Sequence, residues 1–146
     1  MTATDTQSIE DEGELQIVEF YLGDQAYCVA IDQVFELVDM QSLTKIPDSD
    51  PRVMGIVDLR GETTRVIDPR EPLEVESDGP QRRILIFDDG NGKQGDVGWV
   101  VDQVTEVRTI KGEHVEDKTT GDFVQGLIKD GDDFILWVDV EAVNNV

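Results

Sequence analysis

The sequence predicts an all-β protein with minor helix, built as two similar small barrels, and two observations carry that prediction. The apolar runs are short, rich in β-branched and aromatic residues, and bounded by Gly, Asp and Pro, which is the punctuation of strands. The chain also repeats itself. Ile31-Asp32-Gln33-Val34-Phe35-Glu36-Leu37 lines up with Val101-Asp102-Gln103-Val104-Thr105-Glu106-Val107. With one inserted residue, Gly55-Ile56-Val57 then meets Gly126-Leu127-Ile128, and Val66-Ile67-Asp68 meets Trp137-Val138-Asp139. A duplicated unit explains that alignment, and two copies make two barrels side by side.

Residues 1–13 are polar, acidic and aperiodic and read as a flexible tail, leaving 14–146 as the folded domain. Leu15 to Leu22 has strand spacing, Gly23-Asp24 turns the chain, and Tyr27, Val29 and Ile31 alternate on one face of a second strand. That is a hairpin. Asp32 is placed to cap one helical turn, after which Gln33 to Val38 continues as a strand. Pro47 to Pro51 is a loop, and Pro51 to Met54 allows a single helical turn. Gly55 to Asp68 holds two β-branched runs about a tight reversal, with Gly61 taking the positive φ that such a turn needs. Prolines, acids and Gly79 mark a linker over 69–80, which divides the domain into barrels of about 14–72 and 80–146. Beyond it, Ile84–Phe87, Val97–Val101, Val104–Ile110 and Phe134–Val140 read as strands.

With 38% hydrophobic residues the chain has material for a real interior, and its net charge of −21 disfavours phosphate backbones and anionic lipid as partners. The acids are dispersed, not gathered in one tail, which suits a halophilic protein whose acidic surface is screened by a salt-rich cytosol. The single cysteine, Cys28, sits in a strand-like run and reads as a buried thiol in a reducing compartment. No apolar segment approaches a membrane span and the N-terminus lacks a signal peptide, so a soluble, cytoplasmic protein without membrane insertion is expected.

Catalytic and metal motifs are weak. Gly90-Asn91-Gly92-Lys93-Gln94-Gly95 matches a dinucleotide-binding fingerprint, but the β-branched and aromatic residues after it argue against the helix such a loop must open. His114 lies among charged residues without a serine elbow nearby. Asp88-Asp89 and Asp132-Asp133 flank glycines without the ligand spacing of a calcium loop. Trp99 and Trp137 read as core residues and not as a stacking platform for nucleic acid. No catalytic residue, metal or cofactor is expected.

One residue remains unexplained by backbone needs. Arg60 stands beside the Gly61 turn, and aligning the repeats places Gly131-Asp132 opposite Arg60-Gly61, so the second copy lacks the arginine. A residue needed only to fold the barrel should recur. Decoration of a turn and contact with a partner are both open at this point.

The segments Tyr21 to Val38, Leu43-Thr44-Lys45-Ile46-Pro47, Gly55 to Arg70, Gly98 to Val107 and Phe123 to Val143 together resemble the CheW-type chemotaxis coupling proteins, with Asp58-Leu59-Arg60-Gly61 after Gly55 the most specific element. The resemblance implies two SH3-like five-stranded β-barrels. It implies a non-enzymatic adaptor and scaffold in two-component signal transduction, contacting a chemoreceptor cytoplasmic tip, the regulatory domain of a histidine kinase and, in receptor arrays at the membrane, further copies of itself. By that resemblance Val34, Glu36, Gly55, Arg60, Val104 and Val107 line the receptor groove, with Glu36 near enough to orient Arg60, and Thr64 and Val66 lie at a kinase-facing edge. The residues leave open two alternatives: a coupling protein of another two-component pathway, and a small acidic metal- or ligand-binding β-barrel without a signalling role.

Overall fold

Two hairpins that trade places organise the molecule. The computed structural model describes residues 13–76, 79–88, 94–116 and 121–145. Strands β1 (Glu14–Leu22) and β2 (Gln25–Ala30) pair antiparallel, with Gly23 turning the chain at φ 64°. A 3-10 turn over Ile31–Gln33 leads into β3 (Val34–Asp39). β4 (Val53–Leu59) and β5 (Glu62–Ile67) form a second hairpin, followed by the short helix Arg70–Leu73. The same sequence of parts then recurs: β6 (Arg83–Asp88), β7 (Gln94–Val101), β8 (Gln103–Lys111), a 3-10 turn Gly112–His114, β9 (Val115–Glu116), β10 (Val124–Asp130), β11 (Asp133–Val138) and the helix Val140–Asn144.

Strand pairing does not follow the division at the linker. One sheet runs β8-β1-β2-β11-β10-β9 and the other β3-β6-β7-β5-β4. Each barrel therefore takes its framework from one repeat and its central hairpin from the other, which corrects the expected contiguous barrels at 14–72 and 80–146. The exchange is made by parallel pairs, Tyr27 with Leu136 and Val97 with Arg65, at matching positions of the two repeats. Contiguity in sequence gives no sign of it, because the pairing is non-local.

Register supports the duplication. Val34 opposes Phe87, and the match Val104 opposes Phe20; in both, the ladder skips one residue before Glu36 meets Ile86 and Glu106 meets Glu19. The second hairpins skip at the same place, between Val53 and Gly55 and between Val124 and Gly126. Each sheet curls so that its end strands approach. After β8 the 3-10 turn feeds β9 directly onto β10, and after β3 the chain bridges β4 through Thr44 and Ile56. Counting the two-residue β9 gives one sheet six strands where five were expected.

Three apolar clusters fill the structure. One lies inside each sheet, around Ile17, Cys28 and Trp137 in the first and Ile84, Ile86 and Val100 in the second. The third joins them: Phe20, Tyr27, Phe87 and Trp99 meet there with Val140 and Val143 of the last helix. Burying each of these side chains stabilises the fold by roughly 1.5–3 kcal/mol, so the join is an integral core. Trp99 packs against Phe20 and Phe87 and donates from Nε1 to Asn144 Oδ1 at 2.6 Å.

Smaller differences from the sequence reading have local causes. Asp32 lies inside its 3-10 turn, which has no side-chain cap. The residues Pro51 and Arg52 form a plain turn before β4 begins at Val53. The helix Arg70–Leu73 occupies part of the expected linker, and Val140 opens a helix capped by Asp139, whose Oδ1 accepts from the Ala142 N–H, where a strand was expected to end. Of the expected tail only Gly13 is described, and Ser77 and Asp78 of the linker lie outside the described residues.

Candidate functional site

Arg60 and Gly61 form the tip of the β4–β5 hairpin, and both take left-handed backbone, at φ 54° and 84°. Two positive φ values in succession turn the chain in the sense that matches strand twist. Asp58 secures the tip, its Oδ1 accepting a hydrogen bond from the Gly61 N–H at 2.9 Å. The reversal needs this conformation but not an arginine. Gly131, the matching residue of the second repeat, takes φ 65° without a Cβ to strain, whereas left-handed backbone costs an L residue ~1–2 kcal/mol. Strain retained under an exposed side chain points to a use for that side chain.

Arg60 Nη2 donates to Glu36 Oε1 on β3. Since β3 and β4 are the end strands of their sheet, the pair spans the seam of the barrel. The arginine side chain is 68% exposed against 28% for the glutamate, so the carboxylate holds one side of the guanidinium and leaves most of the fork in solvent. The hydrogen bond that Arg60 donates to Glu36 also raises the guanidinium pKa. The result is a permanently charged, planar donor group in a fixed orientation, the geometry that recognises a carboxylate or a row of carbonyls.

The other expected receptor residues divide into two groups. Val34 and Val104 are half-buried at matching positions, and both pack on the cluster shared by the two barrels. Val107 is 55% exposed on β8, opposite Val18. Gly55 is buried beneath the connection after β3: a Cβ there would stand 2.6 Å from the Thr44 carbonyl oxygen. The missing Cβ lets Thr44 bridge Ile56.

Thr64 and Val66 are corrected. Both are fully buried, and β5 is an interior strand between β7 and β4, so neither an edge nor a side chain is offered there. Their alternation with Thr63 and Arg65 placed them on the barrel's inner face, a signal that the expected edge role overrode.

Three groups escaped the sequence reading. Phe35 sits in the register skip of β3 and is 44% exposed; an aromatic at the first residue out of alternation is the signal. Arg52 Nη1 donates to the carbonyls of Ala142, Val143 and Asn145 while its guanidinium lies over Phe123, tying the β4 approach to the last helix. Glu19, buried in β1, accepts from Arg108 Nη1 at 2.9 Å, and Arg108 also donates to both carboxylate oxygens of Asp130 at 3.1 Å. A charge inside each of two strand-like runs was visible in the sequence, but not that the two meet.

Cys28 is fully buried between the strands, and burial, with Glu19 nearby, pushes its thiol pKa up; that is the opposite of an activated nucleophile. Gly90 to Lys93 lie outside the described residues, and from Gln94 the chain is strand, not the helix that a dinucleotide loop opens. Among the described residues no group of three His, Cys, Asp or Glu side chains converges as a metal site. No helix among them is long and apolar enough to cross a membrane.

The model of the CheW-like domain matches residues 16–145, which is the two barrels together. The chain belongs to the CheW-like domain family. Chemotaxis protein CheW of Bacillus subtilis (strain 168) is 29% identical over 140 residues, spanning 90% of this chain and 86% of that protein. Chemotaxis protein CheW of Thermotoga maritima is 25% identical over 135 residues, spanning 89% and 87%. Among solved structures, the scaffolding protein TtCheW of Thermoanaerobacter tengcongensis superposes with a TM-score of 0.76 at 31% identity, covering 86% of this chain and 88% of that one. CheW-like folds thus carry the two-sheet architecture described above.

Proposed function

We propose that this protein is a non-catalytic chemotaxis adaptor that couples the cytoplasmic tips of chemoreceptors to the regulatory domain of a sensor histidine kinase. Relatives named as chemotaxis and scaffolding proteins support the class of function. The observation that carries the site is Arg60, held in left-handed backbone, oriented by Glu36 and left exposed. Val34 and Val104 at the join between barrels, with the exposed Val107 of β8, supply the apolar part of the receptor surface. An oriented guanidinium binds with less ordering cost than a mobile side chain. The protein works in the cytoplasm and reaches the membrane through receptor arrays.

A pull-down with a receptor cytoplasmic fragment and the kinase tests this. The expected result is that the kinase is retained on the receptor fragment only when this protein is present. Retention unaffected by the protein contradicts the coupling role. The acid excess is proposed as an adaptation to salt, because screening near 1 M shortens the Debye length to ~3 Å and relieves repulsion. The melting temperature should rise from dilute buffer to molar potassium chloride; an unchanged value contradicts that reading.

A further inference from the structure

The exchange of hairpins raises a question of partner choice. The pairings that join each hairpin to its framework share backbone register in the two repeats, so main-chain hydrogen bonding at those joins accepts a like hairpin as readily as an unlike one. Much of the apolar packing is also alike: Ile17 of β1 matches Ile84 of β6, and Phe20 matches Phe87. The first repeat could then pair with a first repeat from a second copy of the chain, and the second with a second.

One cluster distinguishes the two arrangements. Glu19, Arg108 and Asp130 occupy the positions that Ile86, Val38 and Leu59 occupy in the other barrel, where those three belong to one apolar cluster. In the observed arrangement the buried Glu19 carboxylate meets Arg108, which Asp130 holds from its other side. In a pair of like first repeats the same carboxylate would be buried against Val38 and Leu59 with no cation. A buried charge stripped of its partner is strongly unfavourable.

We infer that the Glu19–Arg108–Asp130 cluster selects the partner in the hairpin exchange, so that the first repeat fits an unlike repeat, from its own chain or from a second copy, and rejects a like one, which in an equal mixture leaves the second repeats paired with first repeats as well. The backbone supplies a symmetric joint, and the charges make it directional. This is a self-recognition surface inside the fold, separate from the Arg60 surface.

The test cuts the folded full chain at a protease site engineered between Glu76 and Gly79, then unfolds and refolds the cleaved mixture and weighs the products by native mass spectrometry. Wild type should give the unlike pair, with like pairs at least ~100-fold scarcer. Combining Glu19→Ile, Arg108→Val and Asp130→Leu should let like pairs rise towards about half of all pairs, the random share for two equally abundant and equally compatible fragments. Glu19→Gln, which keeps shape and removes the charge, should raise like pairs at least ~10-fold over wild type. The inference is overturned if wild type forms like pairs freely or if its halves refold as separate monomers. It is also overturned if neither the triple variant nor Glu19→Gln increases like pairs.

Discussion

Both barrels close their seam with an arginine and a carboxylate, but from opposite sides. In the five-stranded sheet the glutamate is on β3 and the arginine at the end of β4, and the pair lies outside the barrel. In the six-stranded sheet the arginine is on β8, its carboxylates are Asp130 at the end of β10 and Glu19 on β1, and the group reaches inside. Where one barrel has Arg60 the other has Gly131, and where one has Arg108 the other has Val38. A duplicated backbone thus carries two charge arrangements: the inner arginine joins buried Glu19 to Asp130, and the outer one pairs with Glu36 and stays exposed.

The largest expected effect breaks the inner seam. Arg108→Val leaves the Glu19 carboxylate buried without its cation and should lower unfolding free energy by ~3 kcal/mol or more. Adding Glu19→Ile and Asp130→Leu copies the apolar set of the other barrel and should recover most of that loss. Denaturant unfolding of the single and triple variants measures both, and equal stability would mean the ions contribute nothing to the difference between barrels.

A second comparison uses the two matching glycines. A Cβ at Gly55 meets the Thr44 carbonyl oxygen at 2.6 Å, whereas one at Gly126 meets the Trp137 ring at 3.1 Å and the Glu116 carbonyl oxygen at 3.3 Å. Gly55→Ala should cost ~2 kcal/mol, within the usual range for overpacking, and Gly126→Ala about half as much. Equal costs in thermal melts would mean that Thr44 yields as easily as the second barrel does.

A smaller effect is set by pH. The hydrogen bond from Arg108 lowers the Asp130 pKa in the folded protein. A carboxylate depressed on folding contributes stability that is present above its unfolded pKa and lost as pH falls through the folded value. Asp130→Asn should therefore cost stability at neutral pH, and the gap to wild type should close as the medium is acidified below the ordinary aspartate range. A gap that is constant from neutral to strongly acidic pH would separate Asp130 from Arg108 energetically.

The strands and the repeat were legible because each is a local pattern or an alignment of local patterns, whereas the Glu36–Arg60 pair was implied only by the family resemblance. Tyr27, Val29 and Ile31 announce a strand by alternation, and Gly61 announces a turn. What the sequence hid was set by long-range pairing. Nothing within β1 and β2 says that they insert beside β8 and β11, so contiguous barrels were the natural expectation. Thr64 and Val66 were placed at an edge because their inner neighbour, β7, comes from the far half of the chain. Arg60's left-handed backbone was also hidden, since a glycine follows it and suffices to predict a turn. The absence of an arginine at Gly131 was a sequence-level clue that singled out Arg60.

The claim that Arg60 serves binding and not folding is tested most directly by Arg60→Gly, which gives the first hairpin the residue of the second. Removing a side chain from left-handed backbone offsets the loss of an exposed ion pair, so the unfolding free energy should stay at the wild-type value or rise. Affinity for a receptor cytoplasmic fragment, measured calorimetrically on the same sample, should fall by at least ~10-fold, as losing an interface arginine can cause. A variant that unfolds readily, or that is stable and binds the fragment as tightly as wild type, would contradict the account.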